Sequence, residues 1–115
     1  MNFDFTITKH ETYAIISLSG ELIEKSQAAQ LLEKTEELVK ENFTKLAIDL
    51  EQLKYMNSSG LNTLIQLLTK ARVGGGEAVL FNMAKKINEL ILITKLHTLF
   101  KVTQTKEEAL KLLGI

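Results

Sequence analysis

The segment Leu46–Leu68 most constrains what this chain can fold into, because its hydrophobic pattern changes type within a few residues. It opens with a short and mostly apolar run, Leu46–Leu50, which is typical of a buried strand. It closes with apolar residues at the spacing of one helix face, namely Leu61, Leu64, Ile65 and Leu68. We therefore predict a strand, then a polar loop that contains Asn57–Gly60, then a helix.

The polar loop suits the beginning of a helix. Asn57, Ser58 and Ser59 have short side chains whose oxygen can accept a hydrogen bond from an otherwise unpaired N–H of the first helical turn. The same helix terminus carries a partial positive charge and favours a nearby anion. Helix capping alone is the simplest interpretation, but the pattern also predicts a hydroxyl at a place where a phosphate can be tolerated.

Alternating strand-like and helix-like patterns continue along the rest of the chain. Strands are predicted at Phe3–Thr8, Tyr13–Ser19, Leu46–Leu50, Glu77–Phe81 and Phe100–Thr103. Helices are predicted at about Gln27–Glu41, Ser59–Val73, Ala84–Ile93 and Lys106–Leu113. The order β-β-α-β-α-β-α-β-α predicts an α/β fold with a mixed central sheet of about five strands, in which an antiparallel hairpin precedes parallel strands joined by right-handed crossovers.

Capping and stop signals define several of these boundaries. Gly20 is predicted to end the second strand, and Ser26 is predicted to cap the first helix. Gly74–Gly76 is predicted to end the second helix, because a glycine just beyond a helix can adopt the left-handed conformation. Thr105 and Glu108 have the spacing of a capping box at the beginning of the last helix.

Composition narrows the classes of function. The chain has 115 residues, of which 45% are apolar, which suits one domain with one core. The absence of cysteine excludes disulfides and fits a reducing cytoplasm. Basic and acidic residues are equal at 14 each, without the excess of a nucleic-acid binder. Because the N-terminus lacks a signal-peptide pattern and the apolar run Leu90–Ile93 is too short to span a bilayer, we expect a cytoplasmic protein without membrane insertion.

The residues that could support catalysis or bind a metal are not arranged to do so. His10 and His97 lie far apart in sequence and outside any ligand pattern, and Asp49 has no second carboxylate at the spacing of an acid–base pair. Ser58 lacks a Gly-x-Ser-x-Gly elbow, and Gly74–Gly76 is not followed by the Lys-Ser/Thr of a phosphate-binding loop. We therefore predict no enzyme activity, no metal site and no cofactor.

The segment Lys54–Leu61, KYMNSSGL, follows a strand ending in Asp49-Leu50 and resembles the signature of the STAS domain. That family joins sulphate transporters to anti-sigma-factor antagonists. The resemblance extends over nearly the whole chain and includes Ser19–Leu22, Gly75–Glu77, Ile87–Ile91 and Lys106–Leu110. It implies a single STAS domain over residues 1–115, and a stand-alone antagonist rather than the tail of a transporter.

The resemblance also implies a mechanism. In such antagonists a partner kinase phosphorylates the serine that follows the motif's acidic residue, and that position is Ser58 here. The unmodified protein would sequester an anti-sigma factor with serine-kinase activity and so release a sigma factor for transcription, and a PP2C-type phosphatase would reverse the modification. The implied partner-binding residues are Glu21, Leu22, Ile23, Glu24, Met56, Asn57, Ser58, Ser59, Gly60 and Asn62.

Two positions depart from the usual antagonist pattern. Asn57 stands where Asp is more common, which keeps the capping chemistry but removes a charge that a kinase could use. Ile23 also stands where many antagonists have Asp, and packing beneath the first helix is slightly favoured over partner contact. Tyr55 and Met56 are expected to pack as supports of the serine loop.

A second interpretation belongs to another class of function. Stand-alone STAS proteins also serve as constitutive scaffold subunits of ABC-type membrane transport assemblies, where the serine loop would be a structural contact. Asn57 mildly favours this interpretation, because it weakens the argument for a kinase. A small-molecule or nucleotide sensor is a third possibility, for which the sequence contains no positive sign.

Overall fold

Five strands and four α-helices follow one another in the predicted order in the computed structural model, which describes residues 2–115. The strands are β1 (Phe3–Lys9), β2 (Ala14–Leu22), β3 (Lys45–Met56), β4 (Glu77–Phe81) and β5 (Lys101–Val102). The helices are α1 (Ala29–Lys40), α2 (Ser58–Val73), α3 (Lys85–Ile93) and α4 (Lys106–Leu112). Short 3-10 turns at Lys25–Ala28 and Leu96–Thr98 precede α1 and β5.

The strands form one sheet in the order β1-β2-β3-β4-β5. β1 and β2 are antiparallel, with Phe3 opposite Gly20, and a tight turn closed by a 2.8 Å bond from the His10 N–H to the Tyr13 carbonyl oxygen joins them. The other neighbouring strands are parallel, and each parallel connection passes through a helix. The predicted α/β fold with a mixed sheet is confirmed.

The sheet is covered on both faces where β3 and β4 run. One face packs against α1, α2 and α3 through the larger core cluster, in which Ile48, Leu64 and Ile87 are buried. The opposite face packs against α4, where Ala47 and Phe81 meet a second buried cluster that includes Ala109 and Leu113. Because both faces of β3 are covered here, its first half needs a continuous apolar run, which is the pattern at Leu46–Ile48.

β3 continues to Met56, so the predicted end of this strand at Leu50 is wrong. Its buried residues in the second half, Leu53 and Met56, follow Leu50 at intervals of three rather than two. Irregularities in the pairing of β2 with β3 shift the register at Ser17–Ser19 and again at Gly20–Glu21. A period of three does not resemble a strand in sequence, because the bulges that produce it depend on the neighbouring strand.

β2 also continues beyond its predicted end. Gly20 does not terminate the strand but lies within it, at a φ of +87°, beside one of the register shifts. A Cβ at this position would collide with the carbonyl oxygen of Asn2, which accepts a 2.8 Å hydrogen bond from the Glu21 N–H. The extension brings Glu21 and Leu22 alongside the end of β3.

The beginning of the first helix also differs from the prediction. Ser26 is not an N-cap but lies inside the 3-10 turn. Glu24 occupies the cap position, and the side chain of Gln27 reaches back to accept a 2.9 Å hydrogen bond from the Glu24 N–H in a capping box. The predicted capping box between Thr105 and Glu108 is confirmed at α4. The remaining boundaries differ by one or two residues, within the usual uncertainty of helix and strand ends.

Candidate functional site

Asn57 is the N-cap of α2 and joins this helix to the chain that leaves β2. Its Oδ1 accepts a hydrogen bond from the Gly60 N–H at 3.2 Å, which satisfies one of the unpaired donors of the first turn. Its Nδ2 donates to the Ile23 carbonyl oxygen at 2.9 Å, and its backbone N–H donates to the Leu22 carbonyl oxygen at 3.4 Å. The predicted capping role of Asn57 is confirmed. The hydrogen bond to Ile23 is one that Asp could not form, because an ionised carboxylate has no hydrogen to donate.

Ser58 is the first residue of α2, and its side chain is exposed. Because Asn57 supplies the cap, Ser58 is not needed for it, and its hydroxyl forms no hydrogen bond with another side chain or backbone group of residues 2–115. Ser59 is half-buried, and its carbonyl oxygen accepts a 3.2 Å bond from the Thr63 hydroxyl. The interpretation of either serine as the cap is therefore wrong, and Ser58 presents an available hydroxyl at the helix N-terminus.

The predicted partner-binding residues divide into exposed and buried groups. Glu24, Ser58 and Asn62 are exposed, and Glu21, Ile23, Asn57 and Ser59 are partly exposed. By contrast, Leu22 and Met56 are buried, with exposed fractions of 0% and 1%. Their side chains pack beneath the site, and Met56 also forms part of a cavity floor. Their assignment as partner contacts stays a prediction.

Gly60 is also buried, and its lack of a side chain allows close packing. A Cβ at this position would lie 2.5 Å from the Leu22 carbonyl oxygen and 2.7 Å from the Met56 Cβ. The glycine therefore allows the first turn of α2 to approach the ends of β2 and β3. This approach is what sets Asn57 within hydrogen-bonding distance of Ile23.

An open cavity of about 370 Å³ lies between the N-terminus of α2 and the first turns of α3. Its lining consists of Tyr55, Met56, Asn57, Ser58, Lys86, Ile87 and Leu90. Met56 is buried and packs as a support, whereas Tyr55 is half exposed, at 50%, and lies at the edge of the cavity. Ile87 is buried beside Met56 in the main core, so the cavity has an apolar floor and a polar rim.

Comparison with protein families identifies the fold and the motif. The STAS domain model matches residues 4–109. The chain belongs to the STAS domain family. The strand order and the four helices are therefore those of a STAS domain, and the family predicted from the resemblance of Lys54–Leu61 is confirmed.

Several solved structures share the fold of this STAS domain. An anti-sigma factor antagonist from Mycobacterium paratuberculosis superposes with a TM-score of 0.83 at 21% identity, covering 99% of this chain and 96% of that chain. A putative anti-sigma factor antagonist from Thermotoga maritima gives 0.82 at 20% identity, covering 96% and 95%. The Bacillus cell fate determinant SpoIIAA, in its phosphorylated form, gives 0.71 at 21% identity, covering 94% and 97%.

Other candidate residues of this STAS domain lie away from the serine. His10 stacks on Tyr13 with ring centroids 4.5 Å apart in the first turn, and His97 is exposed in the 3-10 turn before β5. Within residues 2–115, no three His, Asp or Glu side chains are grouped to hold a metal ion. In the same part of the chain, no helix combines the length and apolar character that crossing a bilayer requires.

Sequence reasoning missed the contribution of α3 to the site. Lys86 and Leu90 lie almost thirty residues beyond the serine motif, and only the packing of α3 against the end of β3 brings them to the same cavity. The spacing of Lys86 and Leu90 at i and i+4 shows that they share a helix face. Nothing in that pattern indicates which surface the face meets.

Proposed function

We propose that this STAS domain is an anti-sigma-factor antagonist whose binding is switched by phosphorylation of Ser58. The observation that carries the proposal is the exposed hydroxyl of Ser58, placed first in α2 and relieved of the capping role by Asn57. Unmodified, the domain binds an anti-sigma factor that has serine-kinase activity, and so releases a sigma factor for transcription. It acts by binding rather than by catalysis, as a cytoplasmic unit that comprises residues 1–115.

Phosphorylation at this position changes the surface without disturbing the fold. A phosphate adds about 1.5 to 2 negative charges and three strong acceptors. At the N-terminus of α2 these charges lie in a favourable field, since the partial positive end of the helix is not compensated by an acidic residue in the first turn. A partner that docks over Ser58 must then either desolvate the phosphate or be repelled by its charge. Either effect weakens binding through local electrostatics.

The docking surface comprises the exposed atoms of the two segments that Asn57 joins, which are the end of β2 with the residues after it and the first turn of α2. Glu21, Ile23 and Glu24 contribute from the end of β2, and Ser58, Ser59 and Asn62 contribute from α2. A PP2C-type phosphatase returns the domain to its binding form. The fold similarity to antagonists supports this assignment, and the similarity to SpoIIAA in its phosphorylated form supports the switch.

The phosphorylation is tested with the cognate kinase, ATP and intact-mass spectrometry. Wild type and Ser59→Ala should each gain one phosphate, while Ser58→Ala should gain none. Ser59→Ala is the matched control, because it removes the neighbouring hydroxyl and leaves the Asn57 cap in place. Stoichiometric modification of Ser58→Ala would show that another residue is the acceptor.

Binding is tested by affinity capture with Ser58→Ala and Ser58→Asp as baits. A histidine-kinase-like ATPase that is retained by Ser58→Ala and lost with Ser58→Asp supports the switch.

The second candidate function, a constitutive scaffold subunit of an ABC-type transport assembly, is favoured by one observation. Asn57 replaces the family's usual acid, and both ends of its amide are engaged in structural bonds. Capture of a transporter ATPase by both baits equally would support the scaffold instead.

A further inference from the structure

The cavity beside Ser58 joins two elements that the serine motif does not include. Ser58 lies on its α2 wall, and Lys86 lies on its α3 wall. The floor between them contains the buried side chains of Met56 and Ile87. Ser58 and Lys86 therefore line the same recess from two different helices.

The charge of this recess is unbalanced. Lys86 is its only formally charged lining residue at neutral pH, and the lining contains no carboxylate. Asn57 contributes to this, because the acid that is usual in the family would have placed a negative charge next to Ser58. Other charged residues on the surrounding elements lie outside the lining: Glu21, Glu24, Lys54, Lys85 and Glu89.

Lys86 is also uncommitted elsewhere in the fold. Among residues 2–115, Lys70 pairs with Glu36 at 2.7 Å and Lys9 pairs with Glu41 at 2.7 Å, but Lys86 forms no ion pair, not even with Glu89 three residues later. An ammonium on a flexible four-carbon stem can follow an anion over several positions as a point charge. Its availability and its place on the cavity wall suit it to receive a phosphate.

We propose that Lys86 is the counter-ion of a phosphate on Ser58, so that phosphorylation bridges α2 and α3 across the cavity. This inference rests on the phosphorylation proposed above, and it adds a residue of α3 to the switch. The bridge occupies the recess over Met56 and Ile87, which an apolar side chain of the docked partner would otherwise fill. Lys86 thereby acts as a positioning residue for the phosphate.

The test installs phosphoserine at position 58 by genetic encoding, so that it does not depend on any kinase. Phosphorus NMR then follows the second ionisation of the phosphate, which has a pKa of about 6 without neighbours. A nearby ammonium favours the dianion, so Lys86→Met should raise that pKa by about 0.2 to 0.7 units, the range expected of an exposed ion pair. The difference should shrink at high salt.

Lys85→Met is the matched control, because Lys85 is the adjacent lysine on α3 but lines a separate cavity with Asn82 and Gln104. It should change the phosphate pKa much less than Lys86→Met. Equal pKa values in wild type and Lys86→Met, or equal shifts in the two lysine variants, would overturn the assignment. If the phosphate abolishes partner binding while Lys86→Met leaves its pKa unchanged, the proposed function stands and only the role of Lys86 fails.

Discussion

The Nδ2 of Asn57 lies 2.9 Å from the carbonyl oxygen of Ile23, while the Oδ1 of the same side chain caps α2 through the Gly60 N–H. One amide thus joins the end of the β2 segment to the start of the helix that bears Ser58. The usual Asp of the family could cap the helix but could not donate to a carbonyl oxygen. Asn57 in place of Asp therefore weakens the argument for a kinase, but it adds a hydrogen bond that holds the site together.

The first prediction concerns Asn57. Asn57→Ala should lower the free energy of unfolding by about 1 to 3 kcal/mol, because it removes both the cap and the bond to Ile23. Asn57→Asp keeps the cap but replaces the donor with an acceptor, so it should be less stable than wild type by about 0.5 to 1.5 kcal/mol despite the favourable helix field. Urea denaturation measures both, and an Asn57→Asp protein as stable as wild type would show that the Ile23 bond contributes nothing.

Gly60→Ala separates helix propensity from packing by the sign of its effect. Alanine is favoured over glycine inside a helix by about 1 kcal/mol, so propensity alone predicts stabilisation. The added Cβ would instead lie 2.5 Å from the Leu22 carbonyl oxygen, and overpacking of this kind typically costs about 1 to 3 kcal/mol. We expect net destabilisation and a lower melting temperature, with the exposed Asn62→Ala as a control that changes little. An increase in stability would mean that the first turn is not closely packed on β2.

Glu77 should make stability depend on pH. Burial, the largest single influence, acts to raise the pKa of Glu77, but the Arg72 hydrogen bond, the Ala78 N–H and the charges of Arg72 and Lys101 together hold that pKa below its ordinary value. A carboxyl whose pKa is lower in the folded state stabilises the fold above its unfolded pKa of about 4.3, and this contribution is lost as the pH falls through the folded value.

Glu77→Gln should therefore be less stable than wild type near neutral pH, and the difference should disappear in acid. Urea denaturation at several pH values between about 7 and 3 measures the difference in unfolding free energy between wild type and Glu77→Gln. Glu36→Gln offers a comparison, because the pKa of Glu36 is also lowered, by the hydrogen bond and charge of Lys70, but on the exposed surface. If the difference in unfolding free energy for Glu77→Gln stayed constant over this pH range, ionisation of Glu77 would be excluded as its cause.

Asp4 should limit self-association through the edge of the sheet. β1 is an edge strand, and the Asp4 carboxylate accepts a 2.8 Å hydrogen bond from the N–H of Phe5, a donor that a second chain could otherwise use. Asp4→Ala removes both this bond and the charge, and should tighten dimerisation by about tenfold or more, as for loss of one charged hydrogen bond. Sedimentation equilibrium measures the dimer dissociation constant of each variant. Thr6→Ala, on the same exposed face, is the control, and similar behaviour of the two variants would contradict a specific role for Asp4.

The order of elements, the class of fold and the position of an available hydroxyl follow from the sequence by itself. These features depend on interactions between near neighbours: hydrophobic periodicity identifies Leu61–Leu68 as one helix face, and the capping box at Thr105 involves residues three apart. Asn57 could be predicted as a cap for the same reason. The motif Lys54–Leu61 then led to the family that the match over residues 4–109 established.

Only the tertiary structure decided how far the strands extend and which residues surround the serine. The register shifts between β2 and β3 give the buried residues of β3 a period of three, and that period arises from pairing with a strand far away in sequence. The same long-range packing buries Leu22 and Met56, ties Asn57 to Ile23 and brings Lys86 to the cavity beside Ser58. Local patterns cannot specify these contacts, because each depends on the distance between elements that only the assembled sheet and helices determine.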